Sequence, residues 1–398
     1  MDDRRYYGLD ALRGGMMMLG IVLHGATMYL ASPPPAMPIT TDPNHSHVFD
    51  FLFDFIHSFR MPTFFVLAGF FTSLLVEKRG VWGTYKNRAK RILAPLLAGM
   101  VTVLPLSMLF LVDFTLSVKF GSHNVLPDQG ELRKYSQELL AAGLPADQVF
   151  LGHLWFLYYL CYFYLLIPAC RWLVKSTLPI EQKLRKWSKS PLALVVFSAG
   201  TAATLWPFRG GQVHEGFLFL TPHLPSLAYY GSFFVLGYLF HFYRDFLQGL
   251  TRYVAGSAVL ALVLFPASLY LSHLEYSDPA PAWSIHLAAV VVHGLCTWSL
   301  IYLCIGSALR FFDYESPWIL YTSQSSYWVF LVHLPVVGIA AWWLVQYDLP
   351  AVVKFAGVVA FTTLVCFATY HYWVQRTWVS DFLNGRRFDL NWPWLGEK

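Results

Sequence analysis

Arg13 and His24 stand eleven residues apart in an otherwise apolar run, with Asp10 three residues ahead of Arg13. In a helix, eleven residues make about three turns, so both side chains project from one face about 16 Å apart along the axis. Asp10 lies one turn before Arg13 and can pair with it. An imidazole can accept and return a proton near neutral pH, and a guanidinium can grip an anion through two parallel bonds. Two readings stand at this level. Either His24 is a base and Arg13 orients or holds a ligand, or Arg13 extends to the interface and His24 is a satisfied core histidine.

Four more groups have chemistry-bearing types in apolar surroundings. Asp54, His57 and Arg60 repeat at i, i+3 and i+6, one side of a helix. They form either a polar pocket wall, with Arg60 able to bind a carboxylate, or an internal Asp54–Arg60 or Asp54–His57 pair. Asn87-Arg88-Ala-Lys90-Arg91 opens a later apolar segment. Basic side chains there add to the free N–H groups of a helix start, which suits phosphates; ordinary anchoring at a membrane surface is the other reading. His153-Leu-Trp155 begins a fourth segment, and a Ser-rich stretch from Tyr321 runs into Leu331-Val-His333-Leu-Pro335. Such polar helices commonly pack through hydrogen bonds. His293 reads as structural.

The elements that must position these groups follow from composition. Of 398 residues, 56% are hydrophobic, 18% aromatic and only 13% charged. That excludes a disordered chain, a collagen-like fibre and a disulfide scaffold, and leaves too little polar surface for an ordinary soluble enzyme. The five cysteines show no metal-type spacing and read as free packing thiols. The pattern predicts an all-α polytopic membrane protein, one domain over residues 1–398, with about ten spans. They lie at roughly 9–31, 51–76, 92–112, 151–174, 191–207, 224–242, 253–272, 283–309, 318–345 and 351–375. The first reads as a retained helix, since Arg13 and His24 interrupt it and no small-x-small cleavage site follows.

Orientation comes from the basic residues. Those of the 77–91 and 171–190 connections, with Arg4, Arg5, Arg376, Arg386 and Arg387, all fall on one side of a ten-span chain. That side is the cytoplasm by the positive-inside rule, with both termini inside. An ionisable group within a span costs about 2.5–3.5 kcal/mol on the insertion scale, which is why the residues above carry the functional signal. No P-loop, HExxH, GxSxG or dinucleotide fingerprint is present, and no bound cofactor, metal or nucleic-acid partner is expected.

Arg13 and His24 with ten residues between them, together with Arg88-Ala-Lys-Arg91, resemble the integral-membrane acyltransferase-3 family. Leu9-Asp10-Ala-Leu-Arg13, Asp54-Phe-Ile-His57-Ser-Phe-Arg60-Met, His153-Leu-Trp155-Phe-Leu and Leu331-Val-His333-Leu-Pro335 are similar to its branch that succinylates osmoregulated periplasmic glucans. The matches run in order over most of the chain. One departure is Ala68-Gly69, where many members read Ser-Gly; it touches packing more than chemistry.

The resemblance implies a bacterial inner-membrane enzyme. The donor would be cytosolic acyl-CoA, with succinyl-CoA expected, and the acceptor a glucan hydroxyl at the outer face. It implies His24 as general base with Arg13 and Asp10 beside it, and Arg88, Lys90 and Arg91 at the donor phosphates. Asp54, His57, Arg60, His153, Trp155 and His333 would serve the acceptor or the acyl carboxylate, Trp155 by stacking on sugar rings. An acyl-histidine intermediate is the rival to direct transfer. O-acetylation of another surface polymer keeps the family and changes the substrates. A proton-coupled transporter would also use midplane His and Arg, but the chain shows none of the repeated halves common in carriers.

Overall fold

The computed structural model describes residues 6–34, 40–121, 130, 133–134, 137, 150–177, 182, 190–213, 220–385 and 387–388. Within them the chain is helical. Helix α1 runs Tyr7–Thr27 and α2 His47–Arg88; a π-helical segment Ala89–Leu93 joins α2 to α3, Ala94–Val101, and α4 follows at Val103–Phe120. A 3-10 turn Gly152–Leu154 leads into α5, Trp155–Leu165, and α6, Ile167–Thr177. Then come α7 Leu192–Leu205, α8 Leu224–Phe242, α9 Arg244–Gly249, α10 Val254–Ser277, α11 Trp283–Phe311, α12 Pro317–Leu344, α13 Ala351–Thr369 and α14 Trp378–Asn384. A second π-helical segment, Tyr370–Val374, extends α13.

Helix stands at each of the ten apolar segments, but the spans differ from expectation. Six helical runs of the described residues are long and apolar enough to cross a membrane. There are seven if the pair Gly152–Leu165 and Ile167–Thr177, bent by 52°, counts as one. The protein is therefore a helical membrane protein in which six or seven helical runs of the described residues are apolar enough to cross. Helix α1 is not among them. It packs against α2, α11, α12 and α13, so protein rather than lipid covers its polar residues. Helix α7, at 14 residues, is only about 21 Å long.

The 77–91 segment is not a loop. Helix continues from His47 to Val101, interrupted at Gly80, whose φ of 69° and ψ of 174° are not helical. Arg88, Lys90 and Arg91 therefore do not sit at a helix start, and the free N–H groups expected there are absent. They sit on or beside the π-helical turn. The third expected span is also longer, reaching Phe120 after a break at Thr102.

Packing explains several sequence features. A side chain on Gly69 would collide with the Phe234 carbonyl of α8, and one on Gly237 with the Val66 carbonyl of α2. Two glycines thus let these helices touch backbone to backbone. Two prolines free carbonyls that distant side chains then occupy. Pro62 has no N–H for Ser58, and the Thr297 hydroxyl donates to that carbonyl at 2.9 Å. Pro335 has none for Leu331, and His153 Nε2 donates there at 3.0 Å. Outward faces remain apolar: Val259, Leu262 and Val263 of α10 and Leu364 of α13 are exposed, as a lipid-facing surface requires. All five cysteines are free.

The segment after α1 is tied down by an ion pair that is fully buried on both sides. Lys354 Nζ of α13 meets the Asp42 carboxylate at 2.8 and 2.9 Å and the Asn44 side-chain oxygen at 3.2 Å. Removing one partner strands the other charge, at a cost of about 3–5 kcal/mol. Lys354→Ala should lower stability by that amount in detergent, while the double change Lys354→Met with Asp42→Leu recovers most of it. Thermal unfolding checks this, and equal losses for both proteins would contradict it.

Candidate active site

Helices α1 and α12 run side by side and carry most of the site. Gly14 packs on Ser323, and Gly20 packs near His333, so the two helices are parallel. At one end, Arg13 pairs with Asp10 at 3.1 Å, donates to Ser323 Oγ at 2.7 Å, and lies 5.4 Å from the Phe71 ring centre. One turn further along α12, Tyr327 donates to the Arg91 carbonyl at 2.7 Å. The Arg88 guanidinium lies 5.3 Å from the Tyr164 ring centre, and its buried Nε has no acceptor. The Arg91 guanidinium rests against Gly385, just past α14. Arg13, Arg88 and Arg91 thus gather at one end of the molecule, Arg13 and Arg91 through neighbouring turns of α12. Lys90 is exposed.

About ten residues along α12, roughly 15 Å, three imidazoles meet. His24 and His153 each lie 5.2 Å from the His333 ring, centre to centre. His153 and His333 are buried and His24 is half-buried. Carbonyl oxygens only accept, so the bonds define the protons. His153 carries its proton on Nε2, donated to Leu331. His333 carries its own on Nδ1, shared between the carbonyls of Phe330 at 2.7 Å and Val329 at 3.0 Å. The opposite nitrogens, His153 Nδ1 and His333 Nε2, are buried lone pairs with no partner. A buried polar atom left so costs about 1–3 kcal/mol, and two in one place mark a site built for something else.

Arg60 joins this centre. It is 5% exposed; its Nε donates to the Met16 carbonyl of α1 at 2.8 Å and its Nη1 points at Met61 Sδ at 3.7 Å. It forms no pair with Asp54, so the Asp54–Arg60 alternative is corrected: Arg60 reaches across to α1 instead. Asp54 is half-buried, and His57 stacks on Phe53 at 5.3 Å. Trp155 is 7% exposed and packs against Tyr230 at 5.1 Å and Tyr159 at 5.4 Å. His293 takes a bond with Ser268 at 3.0 Å. No metal-type cluster occurs among the described residues.

The arrangement therefore offers an anion-friendly end and a proton-accepting centre joined by two parallel helices. A family model described as an acyltransferase domain matches residues 6–371. The chain belongs to this acyltransferase-3 family. Acyltransferase activity follows from that membership. Among curated proteins, glucans biosynthesis protein C of Escherichia coli O81 (strain ED1a) is 27% identical over 349 residues, 84% of this chain and 82% of the relative. The protein of that name from Salmonella typhimurium (strain LT2) is 26% identical over 345 residues, 83% of this chain and 82% of its own. No solved structure matches the chain.

The sequence singled out all four members of the centre, and the resemblance set Arg60, His153 and His333 together on the acceptor side, but apart from His24. What could have joined them is the pair of prolines: Pro335, one turn after Leu331, signals a free carbonyl that a buried donor must take. The differing accessibility of the histidines gives a direct check. Diethyl pyrocarbonate should modify His24 while His153 and His333 stay protected in the folded protein, read by peptide mass spectrometry. Faster modification of His333 than of His24 would contradict the packing described.

Proposed function

We propose that the protein transfers a succinyl group from cytosolic succinyl-CoA to glucose hydroxyls of periplasmic glucans, across the bacterial inner membrane. The observation that carries this reading is the separation of the two ends of α1 and α12. The arginines gather around Ser323 and Tyr327, and the imidazoles gather around His333. Arg88 and Arg91, with Lys90 at the surface, receive the CoA phosphates. Arg13, held by Asp10, orients the pantetheine arm. That arm is on the scale of half the ~30 Å hydrocarbon core. It brings the thioester to His24 while the nucleotide stays on the cytoplasmic side with both chain termini. The names of the relatives support the glucan acceptor.

In the reaction, His24 takes the proton of the glucan hydroxyl as its oxygen attacks the thioester carbonyl, then returns it to the departing thiolate. His57 and Asp54 lie on the acceptor side of α2. Trp155 contributes by fixing the ring of Tyr230 rather than by stacking on sugar. The fixed tautomer of His333 favours a second assignment, in which its bare Nε2 is the base. Substitutions separate the two.

The experiment is mass spectrometry of periplasmic glucans from cells lacking the gene and complemented with wild type or variants. Wild type should restore succinyl groups, and His24→Ala, present in the membrane at equal amount, should not. Acylation retained by His24→Ala and lost in His333→Ala moves the base to His333. Glucans unmodified in every strain would discard the glucan acceptor. With purified protein, Arg88→Ala should raise the donor KM by about tenfold with kcat nearly unchanged, as loss of a uniform binding contact does. An unchanged KM would remove Arg88 from the donor site.

A further inference from the structure

We propose that Arg60 is the oxyanion-stabilising residue of the acyl-transfer step; this rests on the acyl-transfer reading above. A buried charge costs several kcal/mol unless something offsets it. Arg60 is nearly fully buried and makes no ion pair among the described residues; its bonds are to a backbone carbonyl and a thioether. Those two contacts hold Nε and Nη1 and so fix the guanidinium plane. Nη2 has no acceptor among the described residues. A rigid, permanently charged donor with a free N–H, at a water-poor depth, is the arrangement that stabilises negative charge developing on a carbonyl oxygen.

Its position agrees. A Cβ built on Gly20 would stand 2.5 Å from Arg60 Nη2 and 3.5 Å from His333 Nε2, so both atoms converge on the bare backbone of α1 there. Gly20 is one turn, about 6 Å, before His24 on the same face. It lies on the Arg13 side, from which the thioester arrives. The free donor Nη2 and the bare acceptors His333 Nε2 and His153 Nδ1 complement two groups at once. A carbonyl oxygen would accept from Arg60, and hydroxyls would donate to the imidazoles.

The step balances as follows. The acceptor oxygen forms its bond to the carbonyl carbon as its proton passes to His24. The carbonyl electron pair moves to oxygen, where Arg60 Nη2 donates to it. The carbonyl re-forms, the C–S bond breaks, and the proton passes from His24 to the thiolate, giving the ester and free CoA thiol. This role differs from binding the free carboxylate of a dicarboxylic acyl group, because an oxyanion forms whatever the acyl chain carries.

The test uses full-length protein in detergent with succinyl-CoA or acetyl-CoA, the latter to any extent that wild type transfers it, and a glucose oligosaccharide acceptor. Free thiol and acylated sugar are read together. Arg60→Lys and Arg60→Met should lower kcat about 10²–10³-fold with every donor used by wild type, with donor KM changed by no more than about threefold. Where Arg60→Met does not insert, Gly20→Ala carries the test. It keeps the guanidinium but pushes it out of place, Nη2 foremost, and should cost about 10²-fold in kcat. Activity within about threefold of wild type in Arg60→Lys and Gly20→Ala overturns the proposal. So does a loss of succinyl transfer in Arg60→Lys with acetyl transfer unchanged, which assigns Arg60 to the acyl carboxylate. If wild type transfers neither group, the acyl-transfer reading fails and the oxyanion role falls with it.

Discussion

Arg60 is anchored to the Met16 carbonyl of α1 at 2.8 Å and approaches Met61 Sδ at 3.7 Å, with no carboxylate paired to it among the described residues. In water that would be unremarkable chemistry. Inside a helical membrane protein it is the constraint around which the middle of the molecule is arranged, because lipid supplies no counter-charge there and the described residues pair none with it. The surrounding elements keep their distance or turn acceptors toward it. Gly20 gives up its side chain, and His153 and His333 each bind a carbonyl through one nitrogen and leave the other bare. A polar centre with one fixed cation and two free lone pairs is unstable as pure structure and well suited to a substrate that brings both a carbonyl and hydroxyls.

The scaffold reaches this state through backbone groups that are freed and then reclaimed. Prolines in α2 and α12 each release a carbonyl, and each carbonyl is taken by a side chain from elsewhere in the chain: Thr297 for Ser58, His153 for Leu331. These bonds tie α11 to α2 and the 3-10 turn before α5 to α12 at the level of the site. A hydrogen bond satisfied in low dielectric is strong and directional, so the two bonds position as well as stabilise. The π-helical turn at Ala89–Leu93 does the corresponding work at the other end. It widens the helix where Arg88 and Arg91 leave it, and Tyr327 secures the Arg91 carbonyl. π-Helical turns are common at functional positions.

Much of this was legible in the sequence, and the rest was hidden for physical reasons. Local relations were readable: Asp10 with Arg13 at one-turn spacing, the free cysteines, the glycine at position 69, helix at every apolar segment. Relations between helices were not. The meeting of His24, His153 and His333 depends on the order of helices in the membrane plane, which no single-chain periodicity encodes. Asp54 and Arg60 share a helical side, yet Arg60 turns to the Met16 carbonyl of α1. The start expected at Arg88 fell inside helix, because the break in this basic segment comes earlier, at Gly80, whose positive φ interrupts the helix eight residues before Arg88. Three of the ten expected spans are not among the six or seven apolar runs of the described residues: α1 is enclosed by other helices and can carry polar residues, α7 has only 14 residues, and α8 carries Ser, Gly, Tyr and His among its apolar residues.

In the proposed reaction, donor and acceptor meet in the middle of the protein from opposite sides. Proteoliposomes with one orientation, succinyl-CoA outside on the face bearing Arg88 and Arg91, and a glucose oligosaccharide sealed inside, test it most directly. The account predicts succinylated sugar in the lumen and free CoA remaining outside, with no CoA crossing. Acylation that occurs only when donor and acceptor share one compartment, or CoA recovered from the lumen, would contradict it.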